Sequence, residues 1–549
     1  MQPVLPSRLA AAYPRTVAYT LPAFGQLARL SAAFAVFVTV FAVAGRSEHP
    51  LMAMSPGPFV TFVSLVVPGA AALVAAFALY RPWPALLLVL ALTPLWNAAY
   101  VWLQVGPVQV ILQTVFVVTL AIGVATTRPN VPASLWSAAD LRAAGRTKGF
   151  AAFRLAEVAV AGFIGLAVIS TMASHDVTLS ATVLLHGILE PIALAAILVL
   201  LRPSRRDLVM VGLALGIAVG LATTFNVAQT LPTFRSLASI DAHRLTFARA
   251  SFYNVGLFAA VVAMTVPLIV AALASRRSLS LPRWATVLMS ATLVAGLAGL
   301  FLSLSKSAWI AAGVGIVLVP LLIVQSWRRR LTLVLAATAV STLFIPWPAL
   351  FLQVAPSIDS GYRTVMVALV GESRFDSWNP ATIAGRGSLV ERFYAADAGV
   401  KMALTNPILG VGLDQFGPNY LKPEYRPAGA LDTLDHAHSL FPEIGAELGI
   451  AAAALVFVIY AATLWALWRV HRNARDQLTR FLAAGLMASI VAWIVVATAF
   501  GCDFYRPSIG LSSDVVVSCV LVGAGIALVR TVHAEKPWRP SEPSGNALG

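Results

Sequence analysis

Charge is scarce in this sequence. Only 11% of its 549 residues are Asp, Glu, Lys or Arg, against about 25% in soluble globular chains, which excludes a stack of soluble domains. Acidic side chains are the scarcer kind, 23 against 38 basic, and the net charge of +15 invites a nucleic-acid reading. The placement of the cations argues against it. Lys and Arg gather in short clusters between apolar runs, the pattern of cytoplasmic loops in membrane proteins. Cysteine is nearly absent. Cys502 sits at the edge of one apolar run and Cys519 inside the next, too far apart along a helix for a disulfide. Neither a disulfide framework nor a thiolate metal site is supported. Internal repeats are lacking as well, and the Pro- and Gly-containing final dozen residues read as a disordered tail.

Hydrophobicity is what the chain has in excess, at 59% of residues. Runs long enough to span a bilayer lie at roughly 29–45, 58–80, 83–103, 106–126, 155–173, 179–201 and 208–227. They continue at roughly 254–275, 284–304, 308–326, 331–352, 448–468, 480–501 and 513–531. The expected fold is an all-α polytopic membrane protein of about 12–14 transmembrane helices. Its expected organisation begins with a cytoplasmic segment 1–28 and about eleven helices over 29–352. A large extracytoplasmic loop 353–440, about three helices over 441–531 and a cytoplasmic tail 532–549 follow. Because so many spans follow it, the first is read as an uncleaved helix and not as a signal peptide.

Charge supports that topology independently. With a cytoplasmic N-terminus and strict alternation, one side receives Arg81, Arg128–Lys148, Arg202, Arg205, Arg206, Arg276, Arg277 and Arg283. The same side takes Arg328–Arg330, Arg469–Arg480, Arg530, Lys536 and Arg539, as the positive-inside rule requires. The exceptions on the opposite side are Arg235, Arg244, Arg249, Lys306 and the cations of 353–440. A long outside loop is translocated whatever its charge, so topology does not explain these cations and they are where function is sought.

Within the loop, Ser388–Leu404 reads as a helix, with Leu389, Phe393, Ala396 and Val400 at helical spacing. Asn406-Pro407 ends it, and Gly410-Val411-Gly412 then permits tight turns and close approach to backbone. The densest group of chemically capable side chains follows: Asp432, Asp435, His436, His438 and Ser439. A histidine near neutral pKa can take a proton from a hydroxyl and release it later, and Asp435 can orient the ring. The bland alternative is an interfacial loop whose histidines bond to backbone. Zinc is a third reading, since His-x-His with two aspartates supplies enough ligands, but that spacing is common by chance and no metal is expected. Arg249, Lys306 and Arg392 form a cationic group near outer membrane ends. A phosphate or diphosphate headgroup is a natural partner for them, and simple snorkelling to lipid phosphates is the competing account. Inside a span, His186 and Glu190 lie one turn apart ahead of Pro191. They form either a proton path or a helix-packing pair, and packing is favoured.

Several of these residues carry a family resemblance. Glu391-Arg392-Phe393-Tyr394 through Asn406-Pro407-Ile408-Leu409-Gly410-Val411-Gly412-Leu413-Asp414-Gln415-Phe416 resembles the signature of the O-antigen ligase and O-antigen polymerase superfamily. His438-Ser439 and Glu447-Leu448-Gly449 occupy the places of its histidine and of its Glu-x-Gly. Upstream, Ser305-Lys306-Ser307-Ala308 and the stretch Arg249 to Asn254 are similar to two further family motifs. Two departures stand out. Lysine at 306 replaces an arginine, keeping charge but losing bidentate geometry, and Ser439 replaces the usual asparagine.

The resemblance implies a GT-C-like, metal-independent inverting glycosyltransferase in a bacterial cytoplasmic membrane, with its site facing outward. It would take a glycan from a polyprenyl-diphosphate carrier to a hydroxyl on lipid A core, a growing polysaccharide or a protein, without a cofactor. In that reading His438 is the general base, supported by His436 or Asp435. Arg249, Lys306 and Arg392 bind the diphosphate, and Gly410, Gly412 and Glu447 support the loop. The rival reading is a secondary transporter or flippase for an envelope glycan or small anion, using His186, Glu190 and the outer arginines. A repeat would favour it, and none is seen. A non-catalytic scaffold would need the loss of the His438 chemistry, and that histidine is present.

Overall fold

The computed structural model describes residues 74–92 (76 excepted), 106–127, 148–230, 255–332 (280, 304, 325, 327 and 330 excepted), 383–426, 434–499 and 513–534. Among these residues the regular secondary structure is entirely helical, with no strand. The elements are α1 (Pro82–Ala91), α2 (Gly106–Thr127), α3 (Lys148–Met172), α4 (Val177–Leu200), α5 (Arg205–Thr230), α6 (Val255–Ala274) and α7 (Arg283–Ser303). Next come α8 (Lys306–Ile323), α9 (Ile383–Thr405), α10 (Phe416–Tyr420), α11 (Leu440–Leu448), α12 (Ile450–Asn473), α13 (Gln477–Ala499) and α14 (Ser513–Ala534).

Eight described helices are long and apolar enough to cross a membrane: α3 to α7 and α12 to α14. Shorter apolar helices lie at Pro82–Ala91, Gln113–Thr127 and Ser307–Ile323. The chain is therefore an all-α polytopic membrane protein. The spans expected at 29–45 and 331–352, and most of 58–80, fall outside the described residues. Helices form here because a bilayer offers no water to backbone N–H and C=O groups, so each span satisfies them internally. The centre of the bundle is α6, of whose apolar window 83% is buried. It packs against α5, α7, α8, α13 and α14. One span is interrupted: α4 widens to a π-helical turn at Leu184–Leu189 before Pro191.

Hydrogen bonds sort the helix ends into two groups. At one end Arg205 bonds to Asp476 at 2.8 Å, and Ser278 to Gln477 at 2.8 Å. The His471 ring joins the same end to the Leu322 and Arg480 carbonyls, at 3.1 and 3.0 Å. Thr531 reaches the Pro203 carbonyl there, and Arg530 bonds to Glu157 at 2.5 Å. The basic clusters near 154, 205, 277, 472, 480 and 530 thus share one end of the bundle. The opposite end carries α9 to α11 and the loops between them.

Candidate functional site

The site at that opposite end is built on α11. Its sequence, Leu440-Phe-Pro-Glu-Ile-Gly-Ala-Glu-Leu448, places Glu443 and Glu447 one turn apart, and both are buried. A helix C-terminus leaves carbonyls without partners, and here the glycine loop supplies them. The Val411 N–H donates to the Ala446 carbonyl at 2.7 Å and the Gly412 N–H to Glu447 at 3.2 Å. Gly410 has φ +67°, and a Cβ there would lie 2.3 Å from the Glu447 carbonyl carbon. Only glycine tolerates both the conformation and the contact.

The Glu447 carboxylate holds the rest of the turn. It accepts the Asp414 N–H at 2.9 Å and the Phe416 N–H at 3.1 Å. Burial pushes its pKa well above the usual range, and the nearby charges of Glu443 and Asp414 push the same way. The two N–H donors offset part of that rise. Serines of the bundle fasten the loop from below. The Ser170 hydroxyl lies 2.8 Å from the Leu409 carbonyl oxygen and 2.9 Å from that of Glu447. Ser180 lies 2.6 Å from the Leu413 carbonyl oxygen and 2.7 Å from Ser174 Oγ.

The histidine loop rests on the other end of α11. Glu443 accepts the Ala437 N–H between the two histidines. Ser439 precedes the helix and donates to the Thr498 carbonyl at the end of α13, at 2.9 Å. His436 is buried, with Nδ1 2.9 Å from Asp435 Oδ1. Its ring centroid lies 3.8 Å from that of His438, tilted by 54°. His438 is half-buried and has φ +53°. A non-glycine residue in that region carries strain of order 1–3 kcal/mol, the kind of local cost found at functional sites. A small satellite core of Ala395, Ala398, Met402, Phe416, Tyr420, Tyr425, Ala437 and Ala446 packs the loop against α9 and α10.

The structure brings most of the expected residues together. Asp435, His436, His438, Gly410, Gly412 and Glu447 occupy one assembly. Arg392 is half-buried on α9, two turns before Gly399, where α9 approaches the histidine loop closely enough that a Cβ would lie 3.1 Å from Ala437 Cβ. Lys306 begins α8, whose far end at Leu322 meets His471 in the basic group. The sixteen-residue interval spans about 24 Å at 1.5 Å per residue, so Lys306 starts its helix at the histidine end. Arg249 and Asp432 lie outside the described residues. Among the described residues no group of three or more His, Cys, Asp or Glu side chains is arranged to hold a metal ion.

Sequence reading missed Glu443 and the three serines. Glu443 left a signal: a second carboxylate four residues before Glu447 in an apolar stretch. The serines left none. The His186–Glu190 pair is hydrogen-bonded inside the bundle. Glu190 accepts from His186 Nδ1 at 3.0 Å, from Thr114 at 2.5 Å and from Gln113, so three donors from two helices surround one buried carboxylate.

Two comparisons with known proteins bear on this arrangement. Residues 291–457 match the family model described as O-antigen ligase. That stretch is under a third of the chain and takes in α8, the glycine loop, the histidine loop and α11. No protein with a curated description matches the chain.

Proposed function

From the match of residues 291–457 to the O-antigen ligase family model, we propose that this chain belongs to that family and transfers a glycan from a polyprenyl-diphosphate carrier to an acceptor hydroxyl. The positive-inside rule assigns the basic end to the cytoplasm, so the histidine loop faces outward, where a flipped lipid-linked glycan is presented. The GT-C-like assignment and the independence from metal belong to the same proposal.

The observation that carries it is the loop from Asp435 to Ser439, fixed at one end of the bundle with His438 half-buried beside His436. The chemistry follows from that placement. His438 takes the proton of the acceptor hydroxyl, whose oxygen attacks the anomeric carbon in line. The bond from that carbon to the diphosphate oxygen breaks, and the diphosphate leaves with the electron pair and inverts the centre. Lys306, Arg249 and Arg392 meet the charge that grows on the leaving oxygen. Asp435 and His436 hold the second ring against the first and stabilise the proton once taken.

Three acceptors remain: lipid A core, a growing polysaccharide and a protein hydroxyl. Deletion of the gene in the source cell tests the proposal and separates them. Lipid-linked glycan should accumulate while one product disappears. A long glycan missing from lipopolysaccharide marks a ligase, missing free or wall-bound polymer marks a polymerase, and missing glycoprotein marks the third. Unchanged levels of both donor and products would refute the proposal.

A further inference from the structure

The two faces of α9 are reversed relative to a helix that packs by its large residues. Ala395, Ala398, Gly399, Met402 and Ala403 are buried, and all but one of them are small. The large apolar side chains point away. Phe393 and Leu404 are each 66% exposed, and Val400 is exposed as well. Residues 393, 400 and 404 fall within one narrow arc at 100° per residue, and Asp397 and Lys401 form a 2.7 Å ion pair along one edge of it. Past the end of α9, Ile408 extends the stripe at 73% exposed.

That stripe continues the exposed apolar face of α12, a helix long and apolar enough to cross a membrane. The Ile450 N–H donates to the Pro407 carbonyl at 2.9 Å, so Ile408 sits on the first turn of the spanning helix α12. Ile450 and Phe457, seven residues apart, are exposed on one face of α12, as are Trp465 and Trp468 toward its other end. The Arg469 guanidinium lies 5.3 Å from the Trp465 ring centroid, an arrangement typical of a membrane–water interface. From Trp468 to Ile450 is about 27 Å at 1.5 Å per residue, against a hydrocarbon thickness of about 30 Å. Ile450 is therefore at the far edge of the apolar slab, and Ile408 and Leu404 enter the boundary layer above it.

We propose that α9 is an interfacial helix whose stripe of Phe393, Val400 and Leu404, with Ile408, seats on the acyl chains of the leaflet nearest the histidine loop. A contiguous exposed apolar patch marks a membrane or partner contact, and its continuity with the lipid face of α12 selects the membrane. The charged edge of Asp397 and Lys401 then lies at headgroup level. The opposite face of α9 meets Ala437 and Pro442 at Gly399. One helix diameter, about 10 Å, thus separates the acyl surface from the histidine loop, which sets the loop at the height of lipid headgroups. The inference holds whatever reaction the loop performs.

The test uses the full chain with Cys502 and Cys519 replaced by alanine, a nitroxide on Leu404→Cys, and phosphatidylcholine–phosphatidylglycerol vesicles. Phe457→Cys is the lipid-facing reference and Thr405→Cys the water-facing one. Relaxation by oxygen and by a water-soluble nickel chelate is measured at each position. The Leu404 label should behave as the Phe457 label does, with oxygen favoured over nickel several-fold, and the Thr405 label should show the reverse. Nickel access at Leu404 equal to that at Thr405 would overturn the proposal. An immobilised Leu404 label shielded from both reagents would overturn it in favour of cover by another protein segment or a second copy. Phe393→Cys provides the same reading if the Leu404 variant does not reconstitute.

Discussion

At the scale of single residues, Glu447 and Gly410 are the points on which the loop depends. A Glu447 pKa raised by burial means that the folded state holds this proton more tightly than the unfolded one. Its contribution to stability is then greatest below the ordinary glutamate pKa of about 4.3 and declines as pH rises from there toward the folded value. Glu447→Gln removes that titration at the cost of one N–H acceptor. The variant's melting temperature relative to wild type should therefore improve steadily as pH rises above about 4.5. A difference flat with pH would show that the carboxyl is ionised throughout. Gly410→Ala meets both a positive φ and the Glu447 backbone, and should destabilise the detergent-solubilised protein by about 2 kcal/mol or more. Thermal unfolding followed by near-UV circular dichroism checks it. The Gly410-Val411-Gly412 turn was legible from its residues, and Glu447 through the Glu-x-Gly of the family resemblance. The sequence did not announce Ser170 or Ser180, whose partners lie 239 and 233 residues away, and nothing in a serine on an apolar helix points to such a partner.

At the scale of elements, α11 holds a loop at each of its ends. Its first turn holds the histidine loop through Glu443 and its last turn holds the glycine loop through Glu447. Glu443→Ala leaves the buried Ala437 N–H without its acceptor, which costs about 1–3 kcal/mol and frees the segment between the two histidines. Its effect should fall mainly on kcat, with KM little changed, and Glu443→Gln should restore most of the loss. Equal loss in the two variants would point to the charge and not the hydrogen bond. The limits of α9 were legible in part: helical spacing and Asn406-Pro407 gave its body and its end, while the structure starts it at Ile383. Its orientation was not legible. Periodicity reports that a helix has an apolar face, and in a membrane protein that face is as suited to lipid as to a core. The π-helical turn at Leu184–Leu189 was also invisible, since an extra residue per turn leaves no compositional trace.

At the scale of the whole molecule, one physical rule organises the chain. Among the described residues the hydrophobic runs are helices and the basic clusters near 154, 205, 277, 472, 480 and 530 share one end, so there the positive-inside pattern read along the sequence is the spatial pattern of the bundle. Cysteines introduced singly at Ser278 and at Lys422, in the same cysteine-free chain, should label from opposite sides of the membrane in intact cells. Labelling of both from outside would contradict the topology. In the proposed topology the histidine loop lies on the outward side, and Lys306 starts its helix at the same end of the bundle. The central claim is that this loop performs glycan transfer. It is tested most directly by incubating purified protein with a polyprenyl-diphosphate-linked glycan and acceptor in detergent and EDTA, wild type beside His438→Ala. Transfer that survives chelation in the wild type and falls by at least a hundredfold in the variant is the predicted result. Equal transfer by the two proteins would remove His438 from the chemistry, and donor uptake into liposomes with no transfer by either would make the chain a transporter.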